Sequence, residues 1–439
     1  MNKKLLVALL VFSGPAAAGT AGVNSGASMT TGPSSSTLSL QSTTHNPAMT
    51  SLVVPDKQKW RISYLPSFGF NTELGDVNNF ADDLEELIDI VDDPTSATDP
   101  VGEVLSRFNS TLVEMGDSGY LKGSLSFGLP VLPLVHKTDY NDASIGISAG
   151  VLAQFGVQVL DSELTFDDQN GTFSTATSLY LKSGIEKSVT VSYSRPIMDT
   201  PALEFANKGK LYGGISARLI SMELSKQVSP VQQLDGDNVS DIITDEYDSN
   251  LEESTNVAFS AGVVWDVGRY RLGFTFENIN SPRFNYGTIG TNCATRAENT
   301  PARSSCEAAA QFIQQDGRIR ARETHTMHAR TRIDGLYHLT NKWSASGSLD
   351  LAAYDDIVGF ENQWMHLATM YDFDNNIVPS LRIGLQSNLT GTQQSSLTVG
   401  MSLFKVVSLD LEYGLDSTSI DGSSAPRRFG IALGVEERF

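Results

Sequence analysis

The chain has 439 residues, with 31 basic against 51 acidic side chains and a formal net charge of −20. That acidity argues against nucleic acid as the main partner, because phosphate backbones are held by clustered Lys and Arg. Hydrophobic residues make up 40% of the chain, and past the first few residues no stretch approaches the ~18 uninterrupted apolar residues of a helical membrane span.

The first residues carry Lys3 and Lys4, then an apolar run from Leu5 to Phe12, then Ala16-Ala17-Ala18. This is the order of a secretory signal, predicted over residues 1–18. Export places Cys293 and Cys306 in an oxidising compartment. Separated by 13 positions with Pro301 between them, they read as a loop disulfide. Two cysteines without a Cys-x-x-Cys spacing argue against a redox pair and against a zinc site, so no metal or cofactor is expected.

Residues 19–58 are poor in charge and rich in Ser, Thr and Gly, and they contain His45-Asn46-Pro47-Ala48-Met49. Composition favours a flexible tail here, with a small irregular plug as the other reading. Next, Trp60, Ile62, Tyr64, Phe68 and Phe70 alternate with Arg61, Ser63 and Ser67, the period of a strand with one apolar face. The period then changes. Phe80, Leu84, Leu87, Ile88 and Val91 recur at helical spacing, and a second such stretch runs from Val101 to Met115. Glu73 to Glu103 holds eleven acids and no base. An acidic helical insertion over 71–118 is expected, its charges forming a solvated face.

From Tyr120 the chain alternates again and again. Candidate strands lie near 120–129, 143–159, 174–182, 185–195, 209–224, 254–266 and 269–279. After a break come 325–339, 342–353, 358–371, 378–388, 395–404, 406–415 and 427–439. No helical crossovers separate the late strands, so antiparallel pairing follows. A soluble periplasmic β-sandwich would turn the apolar face inward; an outer-membrane barrel turns it toward lipid. The ~9–11-residue segments, the leader, the unequal connections and a final strand ending in Phe439 favour the barrel. The predicted class is therefore all-β, an antiparallel transmembrane β-barrel over 59–439. With the last residue on the periplasmic side, the long late connections fall outside. Fifteen segments violate the even strand number such barrels use. Two segments between Ala143 and Pro196 must merge, giving fourteen strands, with sixteen as the alternative.

Short motifs add a family resemblance. They are Asn46-Pro47-Ala48, the acidic helix from Leu84 to Asp93, Lys210-Leu211-Tyr212-Gly213-Gly214 and Phe276-Glu277-Asn278-Ile279-Asn280-Ser281-Pro282. The last is Pro379 to Thr392, with Arg382, Gly384, Asn388 and Gly391-Thr392. Together they resemble the FadL/PorV-like outer-membrane barrels, and more closely the plasmid-transfer TraF-like proteins of that group. The resemblance implies that the segment before the first strand folds into the lumen as a hatch, with Asn46-Pro47-Ala48 at its base. It also implies that an aromatic C-terminal residue, here Phe439, serves as the signal read by the barrel-assembly machinery.

Candidate chemistry is sparse. Gly146-Ile147-Ser148-Ala149-Gly150 fits G-x-S-x-G, but the match lies within a strand-like segment and lacks the strand–turn–helix context of a nucleophile elbow. His325 and His328, three apart on a strand, point to opposite faces and cannot share a metal. The Asp235-Gly236-Asp237-Asn238 loop lacks EF-hand spacing and reads as a solvated loop rather than a Ca²⁺ site. His328, Arg330, Arg332 and Asp334 share one strand face. With Arg271, Arg382, Asp410 and Glu412 they are expected to line a wet lumen, because lipid-facing charges cost several kcal/mol. The expectation is a non-enzymatic outer-membrane component linked to plasmid transfer or envelope assembly. The alternative is a FadL-like channel for hydrophobic small molecules. Expected partners are outer-membrane lipid, the assembly machinery, and a hydrophobic ligand or envelope proteins.

Overall fold

The computed structural model describes residues 25–37, 39–55, 57–97, 99–201, 208–233, 244, 246–314, 317–373, 379–404, 406–420 and 422–438. The leader expected over 1–18, Phe439, and most of the acidic loop beginning at Asp235 lie outside them.

Fourteen antiparallel strand positions form the wall. They are Trp60–Leu74, Tyr120–Gly128 (continued by Leu134–Lys137), Ser144–Leu160, Ser178–Thr200, Gly209–Pro230, Glu252–Asp266 and Tyr270–Glu277. Then follow Arg330–His338, Trp343–Asp350, Trp364–Tyr371, Ser380–Asn388, Ser395–Leu403, Val407–Gly414 and Arg428–Arg438. The first and last strands pair, with Phe70 opposite Ile431 and Phe68 opposite Leu433, so the sheet closes and keeps no free edge. The two segments expected near 174–182 and 185–195 are one strand, Ser178–Thr200. Lys182-Ser183-Gly184 runs straight through without a turn, and that merger restores the even count.

Burial is inverted relative to a soluble protein. Val189, Val191, Ile215, Leu219, Phe259, Leu272, Phe274, Ile383, Val399 and Leu411 are exposed on the outside, while Ser192, Thr275, Arg332, Arg382, Asp410 and Glu412 are buried inside. An outward apolar band with polar side chains enclosed is the arrangement that lipid selects. Strand Gly209–Pro230 shows where that band stops. Its outward positions Leu211, Ile215 and Leu219 are apolar, and the next two are Ser221 and Glu223. Glu223 pairs with outward Lys187 of the neighbouring strand. Above this line the inward side chains Ile220, Met222 and Leu224 are the apolar ones. The phase of the pattern reverses as the wall leaves the bilayer. At the opposite end, Tyr270 stacks on Tyr337 and Trp343 meets Tyr371 edge-on, the amphipathic rings of an interfacial girdle.

The short connections and the chain's C-terminal end share the girdle side; the long connections share the other. On the long-loop side, α1 (Phe80–Asp92) and α2 (Val101–Ser118) form between the first and second strands. Their apolar stripes, with Leu84, Leu87, Val104, Phe108 and Leu112, pack on Val157, Val159, Leu179 and Leu181 of the elevated wall. The helices thus lean on the outside of the barrel with their acids in solvent. No helix among the described residues is long and apolar enough to cross a membrane.

The connection from Asn278 to Ala329 folds over the top and includes α3 (Pro301–Gln314). Phe312 and Ala309 of α3 pack with Tyr180, Val228 and Ile289. Cys293 and Cys306 are disulfide-bonded, with Cα atoms 5.5 Å apart, and the bond ties α3 to the turn before it. A 13-residue closure constrains the unfolded connection by roughly 3 kcal/mol. Cys306→Ser is therefore expected to loosen this cap locally, read as faster proteolysis within 293–314, while the barrel itself stays inserted. Equal protease resistance of the two proteins contradicts a stabilising bridge.

Candidate functional site

The lumen is built from the segment Ser25–Pro55 and from the inward side chains of the wall. Asn46 starts the 3-10 turn Pro47–Ser51: its Oδ1 accepts from Ala48 N–H at 3.0 Å, and Pro47 sits at the first helical position, where no donor is lost. Its Nδ2 donates to the Val263 carbonyl at 3.3 Å. Ser194 Oγ donates to the Ala48 carbonyl at 2.9 Å, and Thr50 and Ser192 share a hydroxyl contact at 3.0 Å. Two wall glycines make room for the turn. A Cβ at Gly214 would stand 2.4 Å from the Pro47 carbonyl carbon, and one at Gly262 would stand 2.1 Å from Asn46 Oδ1. Asn46, Pro47 and Ala48 thus form the seat of this segment on the wall.

Further bonds tie the segment around the ring. Arg61 Nη1 donates to the carbonyls of Thr37 at 2.7 Å and Val53 at 3.1 Å. Arg271 donates to Thr37 Oγ1 at 3.3 Å and pairs with Asp266 at 3.0 Å. Thr30 donates to Asp410, which pairs with Arg382 at 2.8 Å. Ser35 lies against Asp334 beside Gly273.

Above the segment is an ion-pair network. Arg428 on the last strand pairs with Glu73 on the first at 2.7 Å and also binds Glu412. Arg332 pairs with Asp350 at 2.7 Å and with Glu277 at 3.1 Å, and Glu277 also binds Arg330. Arg330 lies over Tyr354 and Arg428 over Trp364. Among them, burial first and the Arg332 guanidinium second hold the His45 imidazole down at about 3, so it joins the cluster neutral. The cavity at the centre of this cluster is about 30 Å³, room for about two waters.

The structure thus places Arg271, Arg330, Arg332, Asp334, Arg382, Asp410 and Glu412 on the inner face. His328 is the exception. It is exposed in the turn before strand Arg330–His338, because the strand begins two residues later than its alternation suggests. His325, in a short ribbon with Phe284, is buried instead. Among the described residues no group of three His, Cys, Asp or Glu could hold a metal. Ser148 lies in the middle of strand Ser144–Leu160, with no strand-to-helix turn around it. The residues that sequence reading passed over are Glu73, Asp350 and Arg428. Each occupies an inward position by strand parity, but an isolated charge near a strand end looks like loop chemistry.

Two features bear on passage. In the upper lumen, inward Leu152, Ile220, Met222 and Leu224 form an apolar cluster with Phe284, Tyr286 and Met327 of the cap. In the wall, the second strand breaks between Gly128 and Leu134, beside register shifts in the first strand between Ile62 and Phe68. Irregular backbone at membrane depth must still satisfy its polar groups. Here Val131 N–H donates to the Tyr64 carbonyl at 3.4 Å and Ser63 N–H to the Pro133 carbonyl at 3.1 Å. From inside, Gln41 and Ser25 donate to Ser67 at 2.8 and 3.2 Å. The break is bridged from both sides.

Comparison with known proteins agrees with this architecture. Among solved structures the chain is similar to a FadL homologue from Pseudomonas aeruginosa, with 11% identity over 95% of this chain and 98% of that one, and a TM-score of 0.42. It is also similar to the toluene transporter TodX from Pseudomonas putida, with 11% identity over 90% and 92% and a TM-score of 0.40. No curated protein matches. The family described as "F plasmid transfer operon, TraF, protein" matches residues 43–350, from just before the Asn46-Pro47-Ala48 seat to Asp350 of the ion-pair network. With its closed wall and outward apolar band, the chain is a bacterial outer-membrane β-barrel, and it belongs to this TraF family.

Proposed function

We propose that the protein is a closed, non-enzymatic barrel serving the envelope side of plasmid transfer. The observation that carries this reading is the family match over residues 43–350, which spans the seat and much of the network. The filled lumen supports a scaffold: a central cavity with room for about two waters is a poor conduit. Deleting the gene from a donor strain is expected to lower transfer frequency without changing outer-membrane permeability. Transfer at the parental frequency overturns the reading.

A second reading, a channel for hydrophobic small molecules, is supported by the apolar cluster of Leu152, Ile220, Met222 and Leu224 beneath Phe284. If Phe284 occupies the place of a ligand, Phe284→Ala opens an apolar void that takes up a small aromatic molecule. Expression of either form in a transport-deficient host then raises uptake of toluene or a fatty acid. Uptake equal to that of the empty vector, with the barrel shown to be inserted, removes the channel.

A further inference from the structure

At the girdle end of the barrel, where the short connections lie, the inner segment and the wall part to leave an open cavity of about 190 Å³. It is far roomier than the void inside the ion-pair network and opens to the opposite side from the cap. Ser36 and Ser39 of the inner segment form its floor, and Ser344, Ser380 and Ser402 stand on the wall around it. The charged groups at its lining are Lys342, Arg382 and Asp372, with the His338 ring beside them. Arg382 is already matched by Asp410 at 2.8 Å. Lys342 Nζ and the His338 ring make no hydrogen bond or ion pair with any described residue.

The lining is therefore rich in neutral hydroxyls and carries one unmatched ammonium and one unmatched imidazole. That combination recognises a monoanion on a polar body. Charge-assisted N–H···O bonds to a carboxylate are about twice as strong as neutral ones, and serine hydroxyls can donate to the remaining lone pairs. A dianionic phosphate fits less well, because Asp372 and Asp410 lie close and a single ammonium cannot balance two charges. An apolar ligand would leave the hydroxyls and the ammonium unpaired. We propose that this cavity is a periplasm-facing site for a small carboxylate-bearing polar ligand, held by Lys342, His338 and the surrounding serines. The carboxylate belongs either to a free molecule of amino-acid size or to the C-terminal end of a periplasmic polypeptide. The proposal stands apart from the transfer reading and from the channel reading, since it uses neither the seat nor the upper apolar cluster.

The test uses the purified full-length barrel in detergent, with binding followed by saturation-transfer NMR. N-acetylglycine is titrated against N-acetylglycinamide, which has the same shape without the charge. The acid is expected to bind roughly tenfold more tightly than the amide, and Lys342→Gln is expected to remove most of that difference. Ser380→Ala supplies a milder variant, expected to weaken the acid about threefold by loss of one neutral donor. Unchanged heat-modifiable migration on gels confirms that each variant is folded. Equal affinity for acid and amide overturns the proposal, as does absence of acid binding or a Lys342→Gln barrel that still prefers the acid. A free-acid hexapeptide that binds more tightly than N-acetylglycine assigns the site to a polypeptide end; one that binds more weakly assigns it to a free small acid.

Discussion

Arg428→Met is expected to lower the unfolding free energy of the barrel by about 3–5 kcal/mol. Arg428, Glu73 and Glu412 are all nearly solvent-free, with side chains 6%, 1% and 1% exposed. Removing the guanidinium leaves two enclosed carboxylates facing each other with no cation between them, and the cost of burying an uncompensated charge falls on both. The remaining partners soften the loss only in part: Ser396 donates to Glu412 at 2.7 Å, and Tyr120 donates to Glu73 at 2.8 Å. The aromatic contact of Arg428 with Trp364 disappears as well. The effect is measured by urea unfolding of the protein in lipid vesicles, followed by gel mobility and protease protection. The double variant with Glu412→Gln is expected to recover part of the loss, because one of the two stranded charges is then gone. A change below about 1 kcal/mol in Arg428→Met would mean that water reaches the triad, as for surface pairs.

The second large effect is expected at Gly262. A leucine there must place its Cβ where Asn46 Oδ1 now stands, a separation of 2.1 Å before the rest of the side chain is added. Overpacking of this kind costs about 1–3 kcal/mol when the surroundings can shift. What can shift is decided by bonding. Gly262 belongs to a strand paired on both sides, with Gly214 and with Thr275, whereas Asn46 is held by side-chain bonds and a short turn. The inner segment should therefore yield before the wall does. The expected result is a Gly262→Leu barrel that inserts normally and carries ion current across a planar bilayer, where the parent protein stays closed. Asn46→Ala should give a weaker version, since it removes the cap of the 3-10 turn at a cost near ~1 kcal/mol. Closed traces from both variants, with insertion verified, would show that the segment is not the barrier.

Much of the wall was legible because strand parity is a strong signal when one face meets lipid and the other meets water. Arg271, Arg330, Arg332, Arg382, Asp410 and Glu412 could be assigned to the inside from alternation alone, as could the apolar faces of Tyr270–Glu277 and Val407–Gly414. The pattern weakened where the wall rises past the bilayer. In Ser178–Thr200 and Gly209–Pro230 both faces are covered by protein at the top, so Ile220, Met222 and Leu224 turn inward and Leu179 and Leu181 turn outward against α1 and α2. That reversal made one tall strand look like two short ones. The inner segment was illegible from composition, because Ser, Thr and Gly are as suitable for lining a polar lumen as for a solvated tail. Only the Asn46-Pro47-Ala48 resemblance pointed inward. His328 was misplaced by a two-residue error in where its strand begins, and strand ends are where alternation carries least information.

The wall is of very unequal height. Strands Ser178–Thr200 and Gly209–Pro230 have 23 and 22 residues, while Val407–Gly414 and Tyr270–Glu277 have 8 each. At about 3.3 Å per residue along a tilted strand, the tall side overtops the low side by something on the order of 20 Å. The mouth is thus a slanted parapet, with the disulfide-tied cap leaning on its high flank. Anything approaching from outside the cell meets the low sill first, over residues 351–363 and 389–394, and that is the flank from which the cap can be lifted.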